Sequence, residues 1–307
     1  MSVAWLDWSN PVAIWWVFLL AVSAVNIAAL LWLCARFRAN RGDRPAGKTA
    51  VIWIEPLLLL CAVYVLGCAF RSVLPRADVQ RICLFDTWLS SIMIGRSVAT
   101  VAELSFAAQW AIALYALGKV ANSDTAKNIA KAIVPTIAVA EICSWYAVIT
   151  TNFLGNVLEN SLWTITFLLI GIALSRLVPR FRGPAQFAIA AAAAGIAAYV
   201  VFMATVDVPM YFGRWQADLT GGKDYLGLVA GLHDVAIRWI VTRDIAPWRD
   251  EIAWMSLYFS MAVWGSLALA GFGLVRHLLP RYRVRAQLVS PTRRPVAVRV
   301  RLSSGMR

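Results

Sequence analysis

Histidine is nearly absent. His233 and His277 are the 2 histidines among 307 residues; one falls in a loop and the other at the far end of the last apolar segment. Bis-His haem and multi-His zinc sites are thereby excluded, and seven-span zinc hydrolases with them. The chain has no GxSxG, no P-loop, no GxGxxG and no Asp-rich prenyl-diphosphate motif. A serine hydrolase would have only His233 as an outward base, and sequence adjacency to Asp234 does not make a spatial triad. The 5 cysteines contain no CxxC. Cys34, Cys61, Cys68 and Cys143 lie in apolar segments as small hydrophobes and Cys83 in a loop, so no disulfide framework is expected. Charge is scarce as well, at 15% of residues, against about 25% in soluble domains.

Apolar residues take the place of charge, at 61% of the chain. Segments of about 20 apolar residues recur, each long enough to cross a bilayer core of roughly 30 Å. They run over 12–35, 51–70, 90–117, 131–151, 157–178, 186–206 and 252–275. The fold class is therefore all-α, a polytopic integral membrane bundle of seven transmembrane helices. The start, MSVAWLDWSNPVAIWW, lacks the basic end and cleavage site of a signal peptide, so the first segment is expected to stay. Trp5, Trp8, Trp15 and Trp16 read as interfacial anchors, and Trp248 and Trp254 as part of an aromatic belt. The seventh segment contains no lysine, so a retinal Schiff base of the rhodopsin kind is excluded.

Most of the 29 basic residues fall in four regions, 36–48, 119–131, 176–182 and 276–307. These alternate along the spans, which puts the N-terminus outside and the C-terminus in the cytoplasm, as in a multi-pass protein of a bacterial inner membrane. The net charge of +13 is then a topology signal, and no nucleic-acid partner is implied. Residues 1–279 form the transmembrane domain. Residues 280–307 form a basic cytoplasmic tail, expected to be disordered and attracted to anionic lipid at about 1 kcal/mol per basic residue.

One connection is long. Residues 207–251 face outward and carry Asp207, Asp218, Asp224, Asp234, Asp244, Asp250 and Glu251 beside five cations. An amphipathic helix is expected at about 224–241, with Tyr225, Leu228, Leu232, Val235 and Trp239 on its apolar stripe and Asp234 and Arg238 on its wet side. It is either a structural cover or a lid.

Polar groups inside the spans carry the functional signal. In IGRSVATVAELSFAAQ, Arg96, Thr100 and Glu103 share one helix face. The separation of Arg96 from Glu103, about 10.5 Å along the axis, argues against a direct pair, so partners are expected on other spans. Glu141, Trp145 and Asn152 form a stripe in the fourth segment, and Asn156, Glu159, Asn160 and Trp163 open the fifth. Glu103 and Glu141 fall at the same depth, near the midplane. Asp207, Tyr211 and Arg214 join the outer rim, and together these residues outline an outward polar cavity.

Glu103 and Glu141 are the candidate catalytic pair, suited to acid–base work or to carrying a proton or cation. Arg96, Thr100, Trp145, Asn152, Asn156, Glu159, Asn160, Trp163, Asp207, Tyr211 and Arg214 are the candidate substrate-binding residues. No metal site is assigned, and the sequence names no cofactor. The alternative is that the carboxyl groups only join helices by hydrogen bonds. The functional readings are an enzyme or binder of a lipid or isoprenoid-like amphiphile, a transporter or proton-coupled carrier, and a sensor or assembly subunit. Whether there is catalysis stays open at the level of sequence. An interrupted helix near the cluster would favour transport, and only Pro135, below Glu141, is visible as a break.

Overall fold

The computed structural model describes residues 8–39 and 54–276. Among the described residues the chain is an all-α bundle of eight helices with one small β patch. Seven of the helices are long and apolar enough to cross a membrane. They are α1 (Pro11–Ala39), α2 (Ile54–Val73), α3 (Ile92–Val120), α4 (Asp124–Thr150), α5 (Leu154–Leu177), α6 and α8. Helix α6 joins Pro184–Phe202 to Val208–Thr220 through a π turn at Met203–Asp207. Helix α8 joins Ile245–Leu257 to Val263–Arg276 through a second π turn at Tyr258–Ala262. The short α7 spans Leu228–Ile237. Trp5, His277, most of the 36–48 basic region and the 280–307 tail lie outside the described residues.

Consecutive spans pack side by side from α1 to α6, and α8 returns to pack on α1, α2 and α3. Gly155 sets the approach of α5 to α4. A Cβ there would strike the Cys143 carbonyl and Ala147, so only glycine lets the helices meet this closely. Glu159, one turn on, is thereby carried onto α4. Of the other spanning helices only α5 packs substantially along α6.

One end of the bundle is capped. Strands β1 (Arg76–Ala77) and β2 (Ile82–Cys83) pair antiparallel, and β2 pairs in parallel with β3 (Ile240–Val241). Arg81, 2% exposed, pins the cap. It donates to Asp234 at 2.7 Å, to the Asp78 carbonyl at 2.6 Å and to the Val148 carbonyl at 2.7 Å. The described members of the basic regions, Arg36, Arg38, Lys119, Lys127, Lys131 and Arg176 to Arg182, fall toward the opposite end.

Several expectations change here. The sixth span does not stop at 206 but runs on to Thr220, which absorbs the first part of the expected outer loop. The cover helix is shorter than 224–241, because Arg238 is already extended and β3 follows. Its apolar stripe faces inward only in part: Val235 is buried, as is Gly231, while Leu228 and Leu232 are exposed. Asp234 pairs with Arg238 at 2.6 Å, but it also turns inward to Arg81 and so is not on a wet side. Trp15 and Trp248 are core residues, not belt residues. They are buried, their rings lie 5.6 Å apart, and their indole N–H groups donate to Ser256 Oγ and the Thr242 carbonyl. All five cysteines are free thiols.

Candidate functional site

Three carboxyl groups meet inside the bundle. Glu103 on α3, Glu141 on α4 and Glu159 on α5 are all buried, and their oxygens lie within 4.8 Å of one another. Arg96 brings them together with a single nitrogen. Its Nη2 donates to Glu141 at 2.5 Å, to Glu103 at 3.1 Å and to Glu159 at 3.5 Å. Arg96 and Glu103 therefore do pair directly, against expectation. The arginine side chain is long enough to reach along the helix toward a glutamate that leans back toward it.

Each carboxyl group has a further donor. Thr100 Oγ1 donates to Glu141 at 2.7 Å and receives the Trp145 indole N–H at 3.0 Å. Asn156 donates to Glu159 at 3.1 Å. Tyr258, from the π turn of α8, donates to Glu103 at 3.0 Å. Four spans thus converge on one cluster. One guanidinium faces three carboxyl groups, so charge balance in an apolar interior requires additional positive charge, as protons or a cation. The trio is the kind of group that holds a metal or cofactor or performs acid–base chemistry. The guanidinium of Arg96 already occupies the point where the three converge.

A cavity of about 780 Å³ opens from this cluster, within the roughly 300–1,000 Å³ of small-molecule sites. Arg96, Glu103, Asn156, Glu159, Asn160, Trp163 and Tyr211 line it. Thr100, Glu141 and Trp145 stand behind that wall and hold it. Asn152 has a different role: its side chain accepts from the Leu154 backbone N–H at 2.9 Å and starts α5. Asp207 is buried in the α6 π turn, near Glu159 and Glu251. Arg214 sits at the rim, paired with Asp250 at 2.9 Å and Glu251 at 3.2 Å and lying over the Phe153 and Tyr211 rings.

Away from the charges the cavity is apolar. The face of α3 follows it through Phe106, Trp110, Leu114 and Leu117, so from Arg96 it descends roughly 30 Å at about 1.5 Å per residue. Small residues of α6 (Ala188, Ala192, Gly195) and of α8 (Gly265, Ala268) line its side. The cavity therefore occupies the space between these two helices.

Among the lining residues not singled out as site residues from the sequence are Tyr258, Ser144, Arg71 and Arg76. The spacing of Glu251, Trp254 and Tyr258 on one face was the available signal for the first. Arg71 and Arg76 sit where an apolar segment gives way to a loop, which reads as an ordinary span end. Gln109, at the end of the IGRSVATVAELSFAAQ stretch of α3, is structural: it donates to the Leu57 carbonyl at 3.0 Å and accepts from Ser266 at 2.6 Å.

No family model, curated protein or solved structure matches the chain.

Proposed function

We propose that the protein is an integral membrane protein that admits an amphiphile from the bilayer into its bundle. It acts on the polar head, as enzyme or binder, at the centre formed by Arg96, Glu103, Glu141 and Glu159. One observation carries this reading: a single cavity joins the buried charge cluster to an apolar passage between α6 and α8. Glu103 and Glu141, close enough to share a proton, would serve as the acid–base pair. Arg96 would fix both and stabilise negative charge developing on the head. Trp163 and Phe167 would flank the start of the chain.

In this reading the capped end and the N-terminus face outward, and the basic end faces the cytoplasm of a bacterial inner membrane. Residues 1–279 form one domain, with the 280–307 tail resting on anionic lipid.

The test is retention and turnover. Native mass spectrometry of protein purified in mild detergent should show a bound amphiphile. Glu103→Gln and Glu141→Gln should each lower its turnover, or its affinity if there is no turnover, at least a hundredfold in protein that still folds, since Gln keeps the size and hydrogen-bonding reach of a protonated carboxyl group. Wild-type protein without any retained amphiphile, and unaffected Gln variants, would overturn the proposal.

A second reading, a proton-coupled carrier, is favoured by the two π turns, since both lie against the cavity at Met203 and Tyr258. Proton flux into liposomes driven by a candidate amphiphile, without its chemical change, would select it.

A further inference from the structure

The roof of the cavity holds a cation that the carboxylate cluster does not answer. Arg76 is 1% exposed and lines the cavity. Its Nη1 donates to the Ser91 and Leu89 carbonyls at 2.9 and 3.2 Å, and its guanidinium lies over the Phe70 ring at 5.4 Å. Its Nε and Nη2 are buried without a hydrogen-bond partner. Among the described residues no carboxylate lies within 4.0 Å of it; Asp78 instead faces Arg71, at 4.0 Å. Burial pushes the Arg76 guanidinium down to about 10, with Asp78 opposing the shift, which leaves it charged at neutral pH.

The chain makes room for this group. A Cβ at Gly95 would collide with the Arg76 guanidinium, so the glycine keeps that position open. Gly95 immediately precedes Arg96 on α3, and Arg71 interacts electrostatically with Arg96, Glu103 and Tyr258. The roof cations therefore adjoin the acid–base centre. A fully buried guanidinium with unused N–H groups and no carboxylate in contact is costly, and its fork matches an anion presenting several oxygens.

We infer that Arg76, with Arg71 beside it, holds the phosphate-type anionic head of a single-chain membrane amphiphile, whose apolar chain lies along α3 between α6 and α8. The inference rests on the reading of the cavity as an amphiphile site and specifies the head that site takes. It places the anionic head at the roof and not at Arg214, a candidate substrate-binding residue that is already paired with two carboxylates at the rim. The bonds next to the phosphate would then face Glu103 and Glu159.

The experiment compares oleoyl lysophosphatidic acid with monoolein, which carries the same chain without the phosphate, on the full-length protein in phosphatidylcholine nanodiscs. Inorganic phosphate serves as the soluble control. Wild-type protein should bind the lysophosphatidic acid at least tenfold more tightly than monoolein, and millimolar phosphate should compete weakly. Arg76→Gln should abolish the preference while leaving monoolein affinity in place. Gly195→Phe, placed where a Cβ meets nothing within 4 Å, should weaken both lipids alike by filling the chain passage. The wild-type comparison decides the matter even if Arg76→Gln fails to fold. Equal affinity for the two lipids would overturn the phosphate head and leave the amphiphile reading standing. Binding of neither lipid would overturn both. Phosphate competing as well as the lipid would assign the site to a free anion and overturn the lipid source.

Discussion

Arg96 places one nitrogen among three carboxyl groups from three helices, so α3, α4 and α5 share one buried ionic junction. Removing a partner from a buried ionic cluster strands the others, at a cost of about 3–5 kcal/mol. Arg96→Met should therefore destabilise the protein by about that amount, read as a lower unfolding midpoint in detergent; an unchanged midpoint would mean that the carboxyl groups find other partners. The residue types were readable in advance. Hydrocarbon solvates charge poorly, so Arg96 and Glu103 on one span and Glu141 and Glu159 on two others had to face one another. What the sequence could not supply was the reach of a flexible side chain. Helix geometry separates the Cα atoms of Arg96 and Glu103 by two turns, and only the side-chain conformations reveal that Nη2 bridges them.

At the scale of elements, the two π turns are where simple helical periodicity fails. Each inserts an extra residue per turn and frees a backbone carbonyl, and both border the cavity. In α8 the freed Phe259 carbonyl accepts from Asn26 of α1 at 2.8 Å, and Asn26 in turn accepts from the Trp264 indole at 3.0 Å. Asn26, a lone polar group in an apolar segment, thus has a packing role that its position allowed but did not specify. Asn26→Leu leaves a buried carbonyl and an indole N–H unpaired and should cost about 1–3 kcal/mol. Amide exchange would rise around 258–264 more than elsewhere, and uniform exchange would refute this account of the turn. A 3.6-residue count carried through Ile245–Arg276 loses phase only past this turn. Tyr258 keeps the face of Glu251 and Trp254, and its bond to Glu103 depends on how α8 packs against α3, which the periodicity of one helix does not give. Trp15 and Trp248 were misread for another reason: tryptophan near a span end serves either as an interfacial anchor or as a packed core group, and burial alone separates the two.

The whole molecule was legible to the extent that hydropathy and charge carry it. Seven apolar segments became seven membrane-length helices, with the sixth longer than expected. The capped end was less visible, since Arg81 and the three two-residue strands draw on residues more than 150 positions apart. The proposed orientation rests on the distribution of basic residues and is testable in a cysteine-free background. A thiol at Asp224→Cys should react with a membrane-impermeant maleimide in intact spheroplasts, whereas one at Arg182→Cys should react only after lysis; the reverse pattern would invert the topology.

The most direct test of the central claim, that the converging charges and the apolar passage form one amphiphile site, is a cryo-electron microscopy map of the protein in lipid nanodiscs. The account predicts elongated density that begins at the Arg76, Arg96 and Glu103 side chains and continues between α6 and α8 toward Leu117. A map in which α6 closes onto α8, with nothing but protein side chains between them, would contradict it.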